Sequence, residues 1–188
     1  RDYLSPIASI RSHLENFMQQ RQPVELPSKL PAILSSGGSY SAPLVMSLVM
    51  FVGSLAINQI QSKAPMQGSG AMDIYRQFML SLDAEGRYLV LSTMANQLRY
   101  PNSHTHYFSS VLLNLFAEAE ASESEYLQEQ IARVLLERLI VHRPHPVSTF
   151  TLIFSFYCLL VLRLCSSHLN SLNFTHYFLS FLFVVVLV

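Results

Sequence analysis

His104-Thr105-His106 is the part of this chain that comes nearest to a metal site. Histidines two apart point to different sides of a helix, and no third ligand stands at a fixed spacing from them. The pair therefore reads as hydrogen-bonding histidines around a helix start. His142 and His145 flank Pro144 near a helix end, where a cationic imidazole suits the helix dipole. His13 stands alone on a helix face and reads as a surface residue. Glu118, Glu120, Glu123 and Glu125 cluster where one helix ends and the next begins. Catalytic carboxylate pairs need burial and a pocket; this cluster reads as a solvated loop. Arg133, Glu137 and Arg138 form a charged stripe on the last helix, and Arg133 and Glu137, four apart, are expected to pair. Gly37-Gly38-Ser39 and Gly68-Ser69-Gly70 lack the lysine and spacing of a phosphate-binding loop. No Ser/His/Asp or Cys/His arrangement can be assembled. The residues point to no catalytic group, no metal and no cofactor.

Composition narrows the classes further. The 188 residues carry 12 basic and 12 acidic side chains, so no broad basic face for nucleic acid is expected. Hydrophobic residues make up 51% and charged residues 13%, which argues against disorder of the whole chain. Two cysteines, Cys158 and Cys165, are too few for a disulfide framework. The first residue is Arg1, which suggests a start inside a longer chain or after processing.

The charges are unevenly placed. Twenty-three of the 24 Asp, Glu, Lys and Arg residues lie in 1–146, and residues 147–188 hold only Arg163. Residues 147–188 contain no Gly, Pro, Ala, Gln, Asp, Glu or Lys. The chain divides into a globular segment, 1–146, and an apolar tail, 147–188.

The globular segment predicts helices throughout. Ser5-Pro6 opens the first, with Ser as cap. Ile7, Ile10, Leu14, Phe17 and Met18 then recur at helical spacing. Gln22 to Gly38, with Pro23, Pro27 and Pro31, reads as a loop holding at most a short helix at Leu30–Leu34. Ser41-Ala42-Pro43 starts a helix that is apolar on most sides and therefore central. Ser62 to Ala71 is a flexible connection. Met72–Leu82 and Glu85–Tyr100 are helices broken near Asp83–Gly86. Ser103 caps the next helix, with a stripe of Tyr107, Val111, Leu112, Leu115, Phe116 and Ala119. Ser124 opens the last one, buried through Leu127, Ile131, Val134, Leu135 and Leu139 and closed by Pro144 and Pro146. No alternating run is long enough for a sheet. Short links imply antiparallel helix pairs in a stack. The fold class is all-α.

Three runs carry a resemblance. They are Ala95 to Ser109 (ANQLRYPNSHTHYFS), Leu115 to Ala119 (LFAEA), and Gln128 to Pro146 (QEQIARVLLERLIVHRPHP). Together they closely resemble the C-terminal domain of the large scaffold subunit of the CCR–NOT deadenylation complex. Weaker similarity through Val49–Ile57 and Leu82–Leu89 extends it over about 1–146. The resemblance implies a HEAT-like, non-catalytic docking domain for two other subunits, one Not-two-like and one Not-three/five-like. Their extended segments wrap the helical surface of such a domain. It further implies a role in mRNA decay and in translational and transcriptional repression, in the cytoplasm and nucleus, with nucleic acid contacted only indirectly. The partner-binding residues expected from the matched runs are Arg99, Tyr100, Asn102, His104, His106, Arg133, Glu137, Arg138 and Arg143.

The similarity stops at Val147. Family members continue with a tryptophan-led helix, whereas Val147-Ser148 fits the codons of a splice donor and the remaining residues fit thymine-rich codons. One reading of 147–188 is translated intron. The other takes the tail as real. Phe150–Leu164 and Phe174–Val188 are each shorter than the roughly twenty residues that span a bilayer. They would then give a re-entrant hairpin or tail anchor and a membrane-attached helical protein. Asn173-Phe174-Thr175 fits a glycosylation sequon, and the N-terminal end has no signal-peptide pattern. Apolar Leu/Phe/Val runs of this kind are expected to be helical. A stack cut at residue 146 exposes the face its last helices would cover. Residues 1–146 alone are thus expected to aggregate or melt broadly in thermal unfolding, and a sharp melt of a soluble monomer would refute this.

Overall fold

In a computed structural model, the protein is described over residues 4–36, 38–61, 69–99, 102–121 and 124–142. Among the described residues there are seven α-helices: α1 Arg11–Gln20, α2 Leu26–Leu34, α3 Ala42–Gln61, α4 Gly70–Ser81, α5 Ala84–Asn96, α6 Ser103–Ala121 and α7 Glu125–His142. Short 3-10 turns stand at Ser5–Ile7 and Gln97–Arg99. A two-residue antiparallel ladder, β1 Ser35–Ser36 and β2 Ser39–Tyr40, pairs Ser35 with Tyr40 and Ser36 with Ser39. The predicted all-α class holds, and this ladder is a hairpin between α2 and α3 rather than a sheet.

The helices lie in two layers. α1, α3, α5 and α7 are neighbours in that order. Contacts near matching ends show that they run parallel. Gln59 at the end of α3 donates to the carbonyl of Met18 near the end of α1 (2.7 Å). Tyr40, just before α3, meets Gly86 at the start of α5. Gln130 donates to the carbonyl of Ala84, and Tyr88 to Glu137, so α7 follows the direction of α5. α2 packs on α4, and α6 packs on both α3 and α7. Each short link reverses the chain, which yields the antiparallel pairs expected of a helical stack.

α3 is the centre. Val45, Leu48, Val49, Val52 and Ala56 are buried, and the helix touches α1, α4, α5 and α6. Residues 42–60 are long and apolar enough to cross a membrane, but that apolarity is used against other helices. Gly53 lets α6 approach: a Cβ there would stand 2.6 Å from Cζ of Phe108. Tyr75 donates from α4 to the carbonyl of Val49 (3.1 Å). Burial pushes the Tyr75 and Tyr107 phenols up, so both remain protonated.

Several boundaries differ from expectation. Ser5 makes no capping bond: Leu4 precedes the 3-10 turn, and α1 begins only at Arg11. The apolar face is nevertheless right, since Ile7, Leu14, Phe17 and Met18 are buried. The proline-rich stretch contains α2, longer than expected, because Pro27 falls in the first turn where no donor is needed. Pro31 costs only the bond to the carbonyl of Pro27, one turn back, and both prolines are buried. α4 starts at Gly70, capped by Ser69, whose hydroxyl accepts from the Met72 N–H. The cap of α6 is Asn102, not Ser103: its Oδ1 accepts from the Thr105 N–H (3.0 Å). The stripe from Tyr107 to Ala119 is buried as expected, as are Leu127, Ile131, Val134 and Leu135. The Leu139 side chain, Pro144, Pro146 and the whole tail 147–188 lie outside the described residues.

α5 is capped by Asp83, whose Oδ1 accepts from the Gly86 N–H (2.8 Å). That bond, and then the Tyr40 hydroxyl, hold its carboxyl below the ordinary value. A lowered folded-state pKa gives stability that is full above the unfolded value, near 3.9, and is lost as pH falls through the folded value. Asp83→Asn keeps a capping oxygen but cannot titrate. We expect its urea midpoint to fall less steeply than wild type below about pH 4; equal slopes would remove Asp83 from the account.

Candidate docking surface

α6 runs back between α5 and α7, so the start of α6 and the end of α7 share one end of the stack. The turn Gln97–Arg99 also lies there, packed on α6. Local chemistry fixes this corner. The α5 helix ends at Asn96, and the carbonyl of Gln97 accepts from the Thr105 hydroxyl (2.8 Å). Leu98, Thr105, Tyr107 and Phe108 are buried beneath it. Much of the run Ala95 to Ser109 is therefore architecture.

The expected partner-binding residues separate accordingly. Arg99 and His106 are exposed at this corner. Asn102 is exposed too, but its side chain is engaged as the α6 cap. His104 is half-buried, with Nε2 3.4 Å from the Ser54 hydroxyl of α3. Arg133 is exposed on α7 and pairs with Glu129, one turn before it, rather than with Glu137. Glu137 turns inward, where its Oε2 accepts from the Tyr88 hydroxyl of α5 (2.9 Å). The expected Arg133–Glu137 pair is thus replaced on both sides, because α5 supplies Glu137 with a half-buried donor. Arg138 is half-buried. Tyr100 and Arg143 lie outside the described residues. The structure brings Arg99, Asn102, His104 and His106 into one corner, with Arg138 towards the same end of α7, and leaves Arg133 nearer the middle of that helix.

The acidic cluster is not simply a solvated loop. Glu118 takes two hydrogen bonds from Arg76 of α4, at 2.7 and 2.6 Å. Arg76 also reaches Asp73 (3.1 Å), and Asp73 pairs with Arg21 at the end of α1. This chain of alternating charges ties α1, α4 and α6 together. Glu125 is exposed, while Glu123 and the side chain of Glu120 are outside the described residues. The network was invisible in the sequence because its partners lie 42 and 52 residues apart. Both groups of the Arg76–Glu118 pair keep about a third of their side-chain surface, so solvent screens it. A double-mutant cycle with Arg76→Met and Glu118→Gln should give a coupling of about 1 kcal/mol, shrinking in high salt. A coupling near zero at low salt would show that the pair does not hold the layers.

Among the described residues no group of His, Cys, Asp or Glu is arranged to hold a metal. His13 is exposed, as expected. What this corner offers is two exposed hydrogen-bonding side chains, the Arg99 guanidinium and the His106 imidazole.

The comparisons identify its family. The family model described as CCR4-Not complex component, Not1 matches residues 2–177. The chain belongs to the Not1 family. The worm CCR4-NOT transcription complex subunit let-711 of Caenorhabditis elegans is 40% identical over 148 residues, covering 73% of this chain. The general negative regulator of transcription subunit 1 of Schizosaccharomyces pombe is 44% identical over 97 residues, covering 50% of this chain. A solved structure described as the Not1 C-terminal domain in complex with Not4 aligns with a TM-score of 0.69 and 25% identity, over 84% of this chain. The chain spans 6% and 4% of the two curated relatives and 35% of the solved Not1 chain. The Not1 match passes Pro146 and ends at residue 177. Membership of a scaffold family, rather than an enzyme family, is what decides against catalysis.

Proposed function

We propose that this chain is a docking segment of a CCR4–NOT scaffold, holding other subunits of that complex on its helical surface. The observation that carries the reading is the Not1 family match over 2–177 on a helical stack whose solved relative is a complex with Not4. The partners proposed are Not-two-like and Not-three/five-like subunits, and a Not4-like subunit on the strength of that solved relative. The contact surface proposed is the corner of Arg99, Tyr100, Asn102, His104 and His106, extended along α7 by Arg133, Glu137, Arg138 and Arg143. Arg99, His106 and Arg133 are exposed, and Asn102 and Glu137 are engaged within the fold as the α6 cap and the acceptor of the Tyr88 hydroxyl. The pathway proposed is mRNA deadenylation, decay and repression, in cytoplasm and nucleus, with nucleic acid reached only through partners. The division proposed is a stack, 1–146, and an apolar tail, 147–188.

Overexpression tests this. A tagged full chain in cells carrying the complex should recover other NOT subunits and, by withdrawing them from the intact scaffold, slow deadenylation of a reporter mRNA. Recovery of no such subunit would defeat the proposal. Recovery only with carbonate-resistant membranes would favour a membrane-attached protein instead.

A further inference from the structure

The end of α1 opens onto a cleft. Arg21 closes that helix in a left-handed conformation (φ 59°), its N–H on the carbonyl of Phe17 (2.9 Å). α2 and α4 pack together beside it. Between the three helices lies an open cleft of about 320 Å³. Its apolar walls are the Phe17 ring and Pro27, both buried, and Val24, which is 80% exposed. The Arg21 guanidinium lies over the Phe17 ring, 5.9 Å from its centroid, and pairs with Asp73 of α4. The other polar walls are Ser28 and Gln77. The Ser28 hydroxyl donates to the carbonyl of Glu25 (2.8 Å), and the Gln77 amide nitrogen donates to the Ser81 hydroxyl. Each side chain thus keeps an oxygen that can accept.

We propose that this cleft takes one neutral aromatic side chain with a hydrogen-bond donor, a tyrosine or tryptophan, from a segment of a docked subunit; the inference rests on the docking reading above. Size sets one limit. About 320 Å³ is the lower end of the range for ligand sites, room for one ring system rather than a large ligand. Charge sets the second. Asp73 is already held by Arg21 and Arg76, and Glu118 balances the second of these. A carboxylate in the cleft would face the accepting oxygens of Ser28 and Gln77, and an ammonium would face the Arg21 guanidinium. A neutral ring avoids both. It meets Phe17, Pro27 and Arg21, surfaces on which aromatic rings pack, and its O–H or N–H meets Gln77 or Ser28. Position sets the third. α1, α3 and α5 run parallel, so this cleft and the Arg99 corner stand at the same end of the stack. Two helix spacings of 8–10 Å part them, a span of about six extended residues, so one docked segment can reach both.

Saturation-transfer NMR on the full chain, with N-acetyltryptophanamide as probe, tests the cleft itself. The indole protons should receive magnetisation from the wild type. The Kd of the probe should rise about fivefold in Gln77→Ala, which removes the acceptor, and at least as much in Val24→Glu, which sets a carboxylate beside the ring. N-acetylphenylalaninamide, which has no donor on its ring, should bind about fivefold more weakly than the tryptophan probe. No transfer to the indole, or equal transfer in wild type and Val24→Glu, would overturn the inference. Calorimetry with the purified Not4-like, Not-two-like and Not-three/five-like subunits tests the occupant. Val24→Glu should weaken docking by about tenfold or more; with the urea midpoint read alongside, binding should fall by more than any loss of fold accounts for. Docking left intact by Val24→Glu would overturn this inference alone. A wild-type chain that holds no subunit would overturn the docking reading, and this inference with it.

Discussion

Replacing Phe108 by alanine should lower stability by about 3–5 kcal/mol, read as the shift of a urea unfolding curve. That is a large part of the roughly 5–15 kcal/mol available to a domain. The ring is fully buried where α6 crosses α3. It meets Tyr107 edge-on at 5.2 Å and Tyr75 tilted at 6.5 Å, and it rests on Gly53. No neighbour can collapse into the space without losing one of those contacts. Gly53 gives a sharper test. Alanine is better than glycine inside a helix by about 1 kcal/mol. Here its Cβ would stand 2.6 Å from a ring that cannot retreat. Gly53→Ala should therefore destabilise by about 1–3 kcal/mol in the wild type. With Phe108→Leu, which shortens the side chain, the same change should become neutral or favourable. Additive effects of the two substitutions would mean that the helices are not held this closely.

The second large effect concerns partners. Introducing negative charge at both Arg99 and His106, as Arg99→Glu with His106→Glu, should weaken binding of the docked subunit by about tenfold or more. Both side chains are exposed and outside the core; with the unfolding midpoint read alongside, binding should fall by more than any loss of fold accounts for. Asn102→Ala is the instructive contrast. It should act through the α6 cap and lower stability by about 1 kcal/mol, with binding changing only as far as the fold does. Unchanged affinity in the double variant, measured by calorimetry, would move the docking surface away from this corner.

The helical class and its buried stripes were legible because a period of 3.6 survives in any helix that packs one face, as in Tyr107 to Ala119. The ends were harder. Asn102 and Ser103 both cap well, and only geometry shows which oxygen reaches the Thr105 N–H. α2 was hidden by three prolines: Pro27 falls in its first turn, where no donor is needed, whereas Pro31 stands inside the helix and forfeits one bond there. Of the residues expected on the candidate surface, Arg99, His106 and Arg133 are exposed. Glu137 was misassigned, because pairing at four residues is a local rule and Tyr88 is 49 residues away. The same distance effect hid the chain from Arg21 through Asp73 and Arg76 to Glu118. Family membership came from long contiguous runs, several of whose residues are core, such as Leu98 and Phe108.

The central claim is that this chain holds other subunits of its complex. The most direct measurement mixes the purified full chain with the Not4-like subunit, and separately with the Not-two-like and Not-three/five-like pair, and follows each by gel filtration with light scattering. The account predicts a stoichiometric complex with at least one of them, weakened by the Arg99→Glu/His106→Glu double substitution. A folded chain that elutes alone in every mixture would contradict it.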